Sequence, residues 1–206
     1  EGSNPHGMEG DPNTGQVYFA ATTQTHGEEL WVSDGTISGT RMVADIMSGS
    51  MGSHPKYLIW YKDSIYFQAN DGHHGTEVWK YTPQNGGTGG VASLLYDLRP
   101  GSKSSGAAFF TIMPSVISGE EFLYFTATDG LYVTASSATE GYGGSQIWRT
   151  DGTQAGTMRA FERTDNDVYM DKKWLDMDFP ARMHVYENGL YLSASYGLHH
   201  VVVPKG

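Results

Sequence analysis

The chain has 206 residues, enough for one sizeable domain with a core of its own. Its net charge is −10 with no basic run, it holds no cysteine, and no apolar run approaches the roughly 18 residues of a membrane-spanning helix. This composition argues against a nucleic-acid partner and against membrane insertion, and it excludes disulfide frameworks, thiolate metal sites and cysteine nucleophiles. With 27 Gly, 13 Tyr and only 17 % charged residues, the chain reads as turn-rich, aromatic-rich and all-β. It begins at Glu1 with no signal peptide, the pattern expected of a processed form or a fragment.

Taken in chain order, one phrase recurs: Val17-Tyr18-Phe19-Ala20-Ala21, Ile65-Tyr66-Phe67-Gln68-Ala69, Leu123-Tyr124-Phe125-Thr126-Ala127 and Leu190-Tyr191-Leu192-Ser193-Ala194. A second phrase follows three of them. It is Glu29-Leu30-Trp31-Val32-Ser33-Asp34-Gly35-Thr36-Ile37-Ser38-Gly39-Thr40, then a worn copy from Glu77-Val78-Trp79 to Gly87-Thr88, then Gln146-Ile147-Trp148 onward to Gly156-Thr157. A period near 50 residues with this composition predicts four-stranded blades and hence a β-propeller.

In the first unit the spacing predicts strand A at 17–21, strand B at 29–33, an Asp-Gly-Thr turn, strand C at 40–46 and strand D near 57–61. The four Ala residues suggest crowded innermost strands with an open edge toward the axis. The blade units read as 17–63, 64–121, 122–188, and 189–206 together with 1–16, in a single domain. Gly2-Ser3-Asn4-Pro5 is similar to Gly52-Ser53-His54-Pro55, which precedes a strand D. The N-terminus is therefore expected to complete the last blade, giving four blades closed by both termini. A fragment of a larger propeller is the alternative.

The Glu-Leu-Trp-x-x-Asp-Gly-Thr-x-x-Gly-Thr phrase resembles the ELWxxDGTxxGT repeat of large exported proteins, often described as hyalin-repeat-like. The match is close at 29–40, good at 148–157, partial at 77–88 and absent after Val203. The resemblance implies an exported, propeller-like, extracellular protein and carries no catalytic residues with it. The Asp-Gly-Thr turns also look faintly like the Asp-boxes of sialidases, which are turn-formers too.

Candidate chemistry falls on loops. His26, His74 and His200 are placed in A–B loops, with Glu28, Glu77, Asp71 and Asp129 nearby, a donor set that suits a divalent metal ion. The alternative is that His-Gly shapes a turn. Two insertions of the third unit, 131–145 and 163–178, are expected on the same face. In the second, Asp165, Asp167 and Asp171 resemble a calcium loop, although the EF-hand spacing fails; a solvated acidic loop is the other reading. Tyr132, Tyr142, Tyr169 and Trp174 form a candidate sugar-binding or apolar-ligand surface. Trp31, Trp79 and Trp148 stand at one repeat position and read as core. The chain has no nucleophile elbow and no phosphate-cradling loop.

These features favour an exported, non-catalytic binding, scaffold or adhesion module that presents the loops of one propeller face to a protein or glycan partner, with a homo-oligomer open. The alternatives are a carrier of a small molecule or metal ion, calcium included, and a polysaccharide-acting hydrolase or lyase.

Overall fold

In the computed structural model the chain is all-β, with fifteen strands and no α-helix among the described residues. The structure describes residues 2–84, 86, 89–114, 119–130 and 145–160, and the backbone of 180–186, 189–194 and 197–201. The chain divides into two compact units, Glu1–Ser104 and Ser105–Gly206.

Unit 1 holds two antiparallel four-stranded meanders. The first runs β1 (His6–Gly10), β2 (Val17–Thr23), β3 (Gly27–Ser33), β4 (Arg41–Ala44). The second runs β5 (Lys56–Tyr61), β6 (Ser64–Asn70), β7 (Thr76–Gln84), β8 (Gly89–Tyr96). Unit 2 holds a third such meander, β9 (Ala108–Pro114), β10 (Glu121–Ala127), β11 (Gln146–Thr150), β12 (Met158–Arg159). It also holds a three-stranded sheet of β13 (Pro180–Tyr186), β14 (Gly189–Ala194) and β15 (Gly197–Val201).

The repeat is therefore shifted in phase from the sequence reading. The segment 57–61, expected to end the first sheet, opens the second. The reason is the turn at Lys62-Asp63, where both residues are left-handed at φ 45° and 57°. A two-residue turn of this kind forces its flanking strands to pair, so Tyr61 faces Ser64 and Trp60 faces Ile65. The N-terminal segment is corrected in the same way. β1 pairs with β2, with Gly10 opposite Val17, and does not complete the last sheet. The Tyr-bearing strands β2, β6 and β10 are thus interior strands, paired on both edges, and not open-edged inner ones.

One lead-in opens three sheets. The carbonyls of Ser3, Ser53 and Ser105 accept the amides of Thr22, Asn70 and Thr128 at 2.8, 3.0 and 2.9 Å. The next residue, Asn4, His54 or Gly106, is left-handed (φ 44°, 54° and 63°), and so is the third beyond it, Gly7, Tyr57 or Phe109 (φ 65°, 59° and 56°). The second left-handed residue coincides with a register shift in each first strand, a bulge that turns the strand onto its sheet. The likeness of 2–5 to 52–55 was a true repeat, but it marks the beginning of a sheet.

The Asp-Gly-Thr turns also repeat atom for atom. Asp34 Oδ1 accepts the Thr36 amide at 2.9 Å and the Thr36 hydroxyl at 2.7 Å. The Thr36 hydroxyl oxygen accepts the Gly39 amide at 2.9 Å, and the Thr40 hydroxyl donates to the Thr36 carbonyl at 2.6 Å. In unit 2 the same four bonds link Asp151, Thr153, Gly156 and Thr157 at 2.8, 2.7, 2.9 and 2.7 Å. Gly35 and Gly152 supply φ of 88° and 98°, and a β-carbon on Gly39 or Gly156 would collide with the Asp carboxylate. The Asp, Gly, Thr, Gly and Thr of the phrase are thus accounted for by the turn, while Ile37 at one of its variable positions is 98 % exposed.

Within unit 1 the two sheets pack through a shared core of Tyr18, Leu30, Val32, Ile65, Phe67 and Trp79 with their neighbours. Tyr18 meets Trp60 and Tyr81 at ring-centroid distances of 6.2 and 5.8 Å. In unit 2, Leu123, Phe125 and Trp148 are buried, and the Trp148 indole donates to the Ala127 carbonyl at 3.2 Å.

Candidate functional site

The strand registers put the repeat residues side by side. Phe19 faces Trp31, Phe67 faces Trp79 and Phe125 faces Trp148. Two residues along, Ala21 faces Glu29, Ala69 faces Glu77 and Ala127 faces Gln146. Glu29 and Glu77 are fully buried. Cross-strand partners share a face, so the repeated Ala leaves room for the buried carboxylate beside it. This is a better account of the Ala than crowding at an axis, because these strands are not innermost.

A buried carboxylate needs donors to replace water. Glu29 has four: the amides of Ile46, Met47 and Ser53 at 3.1, 3.0 and 3.0 Å, and the Ser53 hydroxyl at 2.6 Å. Burial pushes its carboxyl up, these donors pull it only part of the way back, and the net direction is up. Glu77 accepts the Leu98 amide at 3.2 Å in the second sheet. The Glu of the Glu-Leu-Trp phrase is thus a clamp that ties the third strand of a sheet to the loop beyond its fourth. Glu77, expected in a metal set, is instead buried and bonded to the Leu98 amide, and Glu29 is its counterpart in the first sheet. A charged residue recurring inside an apolar strand phrase was the signal for it.

The clamp shapes one end of unit 1, where β1, β3, β5 and β7 begin. Gly27 is left-handed at φ 64°, and a β-carbon there would strike the backbone of Met51 and Gly52. Gly75 repeats this at φ 69° against Lys103 and Ser104. The Gly of His-Gly therefore shapes the turn and lets two loops touch.

The histidines at this end are held individually. His26 Nδ1 meets the Thr25 hydroxyl at 2.8 Å. His74 Nδ1 donates to Asp71 Oδ2 at 2.7 Å, while Asp71 Oδ1 accepts the amides of His73 and His74 at 2.9 Å each. Burial raises the Asp71 pKa, but the His74 and His73 amides and the His74 ring outweigh it, and the net direction is down. The hydrogen bond to Asp71 raises the pKa of His74. Such a carboxylate–imidazole pair fixes the tautomer and leaves Nε2 to solvent. Asp129, another carboxylate of the expected metal set, is paired with Arg159.

The structure adds a cluster that sequence reasoning missed. Glu28 Oε1 lies 3.8 Å from His6 Nε2 and 3.5 Å from His54 Nδ1. The signal was His54 inside the repeated lead-in, but strand pairing was needed to bring β1, β3 and that lead-in together.

His200 is corrected. It lies in β15, not in a loop, at the register position opposite Tyr191. Lys80 and Arg149 hold the same position opposite Tyr66 and Tyr124. In the same register His199 faces Leu192, where the other sheets carry Trp, and Gly197 faces Ala194, where they carry Glu or Gln. Gly197–Val201 is therefore a degenerate copy of the Glu-Leu-Trp phrase. Substitution at both of its diagnostic residues hides it in the sequence.

Among the described residues, no three His, Asp or Glu side chains are placed to hold a metal ion. Asp165, Asp167, Asp171, Tyr132, Tyr142, Tyr169 and Trp174 lie outside the described residues. A cleft of about 430 Å³ opens between β4 and β8, with Val43, Asp45, Ile46, Val91 and Trp79 among its lining residues. Compared with known proteins, the chain matches no family model, no curated protein and no solved structure.

Proposed function

We propose that the chain is an exported, non-catalytic binding or scaffold module of the ELWxxDGTxxGT type, its sheets the blades of a β-propeller. The surface it presents is the loop end of unit 1, and the partner is a protein or glycan. The observation that carries this reading is the clamp. Four hydrogen bonds from 46–53 to the buried Glu29 fix a loop that would otherwise sample many shapes. They leave Met51 at its tip 70 % exposed. Exposed loops on a rigid scaffold are the usual place for recognition. The repeated meander, with its shared lead-in, clamp and turn, supports the blade assignment.

The test is binding of the immobilised protein to a panel of polysaccharides and extracellular proteins. The expected result is at least one ligand whose affinity falls about tenfold in Met51→Glu, with the circular dichroism spectrum unchanged. Binding that is indifferent to Met51→Glu would move the surface elsewhere, and a panel without any ligand would count against the reading.

A further inference from the structure

The last strand of each four-stranded sheet has one edge that, among the described residues, no strand of its sheet covers. Such an edge carries backbone N–H and C=O groups ready to pair with another chain, and proteins guard it with charge, Pro, bulges or brevity. β12 is two residues long and carries Arg159. β4 is four residues long, opens on Arg41, and is bulged between its pairings to Leu30 and Trp31. β8 has none of these guards over most of its length. Its eight residues, Gly89-Gly90-Val91-Ala92-Ser93-Leu94-Leu95-Tyr96, include no charged residue and no Pro. Its register shift comes only after Leu94, so 89–94 runs unbroken against Gln84 to Trp79.

Alternation along β8 decides what an added strand would meet. Ala92 and Leu94 pack against the core that the two sheets of unit 1 share, and Val91 between them is 55 % exposed. A strand laid along the outer edge continues both faces. Its side chains on the Ala92 and Leu94 face turn toward the cleft between β4 and β8, which has about 430 Å³ of room. Val43, Ile46 and Trp79 give that cleft an apolar lining, and Asp45 gives it one carboxylate. Asp45 is exposed, and among the described residues its side chain has no hydrogen-bond or ion-pair partner. With a net charge of −10 on the whole chain, the cleft favours a basic guest over an acidic one.

We propose that the outer edge of β8 takes up an extended segment of a partner protein as a fifth strand of the second sheet, with apolar and basic side chains of that segment turned into the cleft. The backbone of 89–94 supplies the pairing, Val43, Ile46 and Trp79 receive the apolar side chains, and Asp45 meets a Lys or Arg. An acidic segment is repelled, and a proline-rich one lacks the N–H groups to pair. The proposal does not rest on the loop-end reading. If Met51→Glu has no effect on any ligand while a peptide still protects 89–94, that reading fails and this one stands.

The probe is a capped hexapeptide, Val-Val-Lys-Lys-Val-Val, which presents a lysine between two valines on either face. Its control is Val-Val-Glu-Glu-Val-Val. Amide hydrogen exchange of the full chain is followed with each. The lysine peptide is expected to slow exchange in 89–94 by about threefold or more at saturation and to leave β10 unchanged. Asp45→Asn is expected to weaken its binding about two- to fivefold, the range of an exposed ion pair. Val91→Lys, a charged guard at an exposed position, is expected to weaken it by about tenfold or more. No slowing in 89–94 with the lysine peptide, equal slowing by the two peptides, or slowing that Val91→Lys leaves intact would overturn the proposal. If 89–94 is instead protected without peptide, in step with protein concentration, and sedimentation shows a dimer, the edge is filled by a second copy and the partner reading is wrong.

Discussion

Glu28 and Glu29 are neighbours in sequence and opposites in structure. Strand alternation sends Glu29 inward, where it is fully buried and meets four donors. It sends Glu28 to the rim, where the side chain is 16 % exposed and meets two histidines across 3.5 and 3.8 Å. The first is repeated as Glu77 and belongs to the architecture. The second is not repeated and belongs to this junction alone. Within one strand, the repeat separates what builds the sheet from what decorates its end.

The strongest way to break the comparison is to remove the inner carboxylate. Glu29→Ala leaves three amides and a hydroxyl buried without acceptors, and its stability in urea is expected to fall by about 3–5 kcal/mol. If Glu29 is only a well-solvated residue, the loss will be far smaller. A gentler test crowds the same place. Ala21→Leu puts a larger side chain opposite Glu29, with an expected loss of about 1–3 kcal/mol. The same change at the exposed Ala155 is expected to cost less than about 1 kcal/mol. In the Asp-Gly-Thr turns, Gly39→Ala and Gly156→Ala drive a methyl against the Asp carboxylate, with an expected loss of about 1–2 kcal/mol in thermal unfolding. Ile37→Ser in the same turn is expected to stay within about 0.5 kcal/mol.

How much of this was legible in the sequence depends on the range of the interaction. The strands, the turns and the core positions of Trp79 and Trp148 could be read because they rest on alternation and on local side-chain-to-backbone bonds, whereas Trp31 at the same repeat position is only partly buried. The grouping of strands into sheets could not be read from the Tyr and Trp phrases alone. They mark the middle of each sheet and are silent about which flanking strand begins it. The two-residue turn at Lys62-Asp63 decides that, and Lys is an uncommon residue in the left-handed region. The Ser3 and Ser53 lead-ins were visible, but their role became clear only with their bonds to Thr22 and Asn70. His6, Glu28 and His54 lie far apart in the chain, and only pairing brings them to one place. His200 was misplaced because Gly197 and His199 stand where Glu and Trp announce the strand elsewhere.

The smallest effect concerns the Asp71–His74 pair. His74 is raised in the folded state, so its contribution is complete below the ordinary imidazole pKa of about 6.5 and is lost as pH rises through the folded value. Asp71 is lowered, so its contribution is present above the ordinary carboxyl pKa and is lost as pH falls through the folded value. The pair therefore contributes most between the two. An NMR titration of His74 is expected to show a midpoint above the ordinary imidazole value, returning toward it in Asp71→Asn. An unchanged midpoint in that variant would assign the shift to another group.

The most direct measurement of the central claim is urea unfolding of Glu28→Gln and Glu29→Gln side by side at pH 7.5. Each replaces one carboxylate with an amide of the same shape. Glu29→Gln is expected to lose about 1–3 kcal/mol, because a neutral amide offers one acceptor oxygen where the carboxylate offers two. Glu28→Gln is expected to stay within about 0.5 kcal/mol, because its contacts at 3.5 and 3.8 Å are with half-exposed rings. Equal losses, or the reverse order, would contradict the division between a repeated clamp and a junction that the repeat does not require.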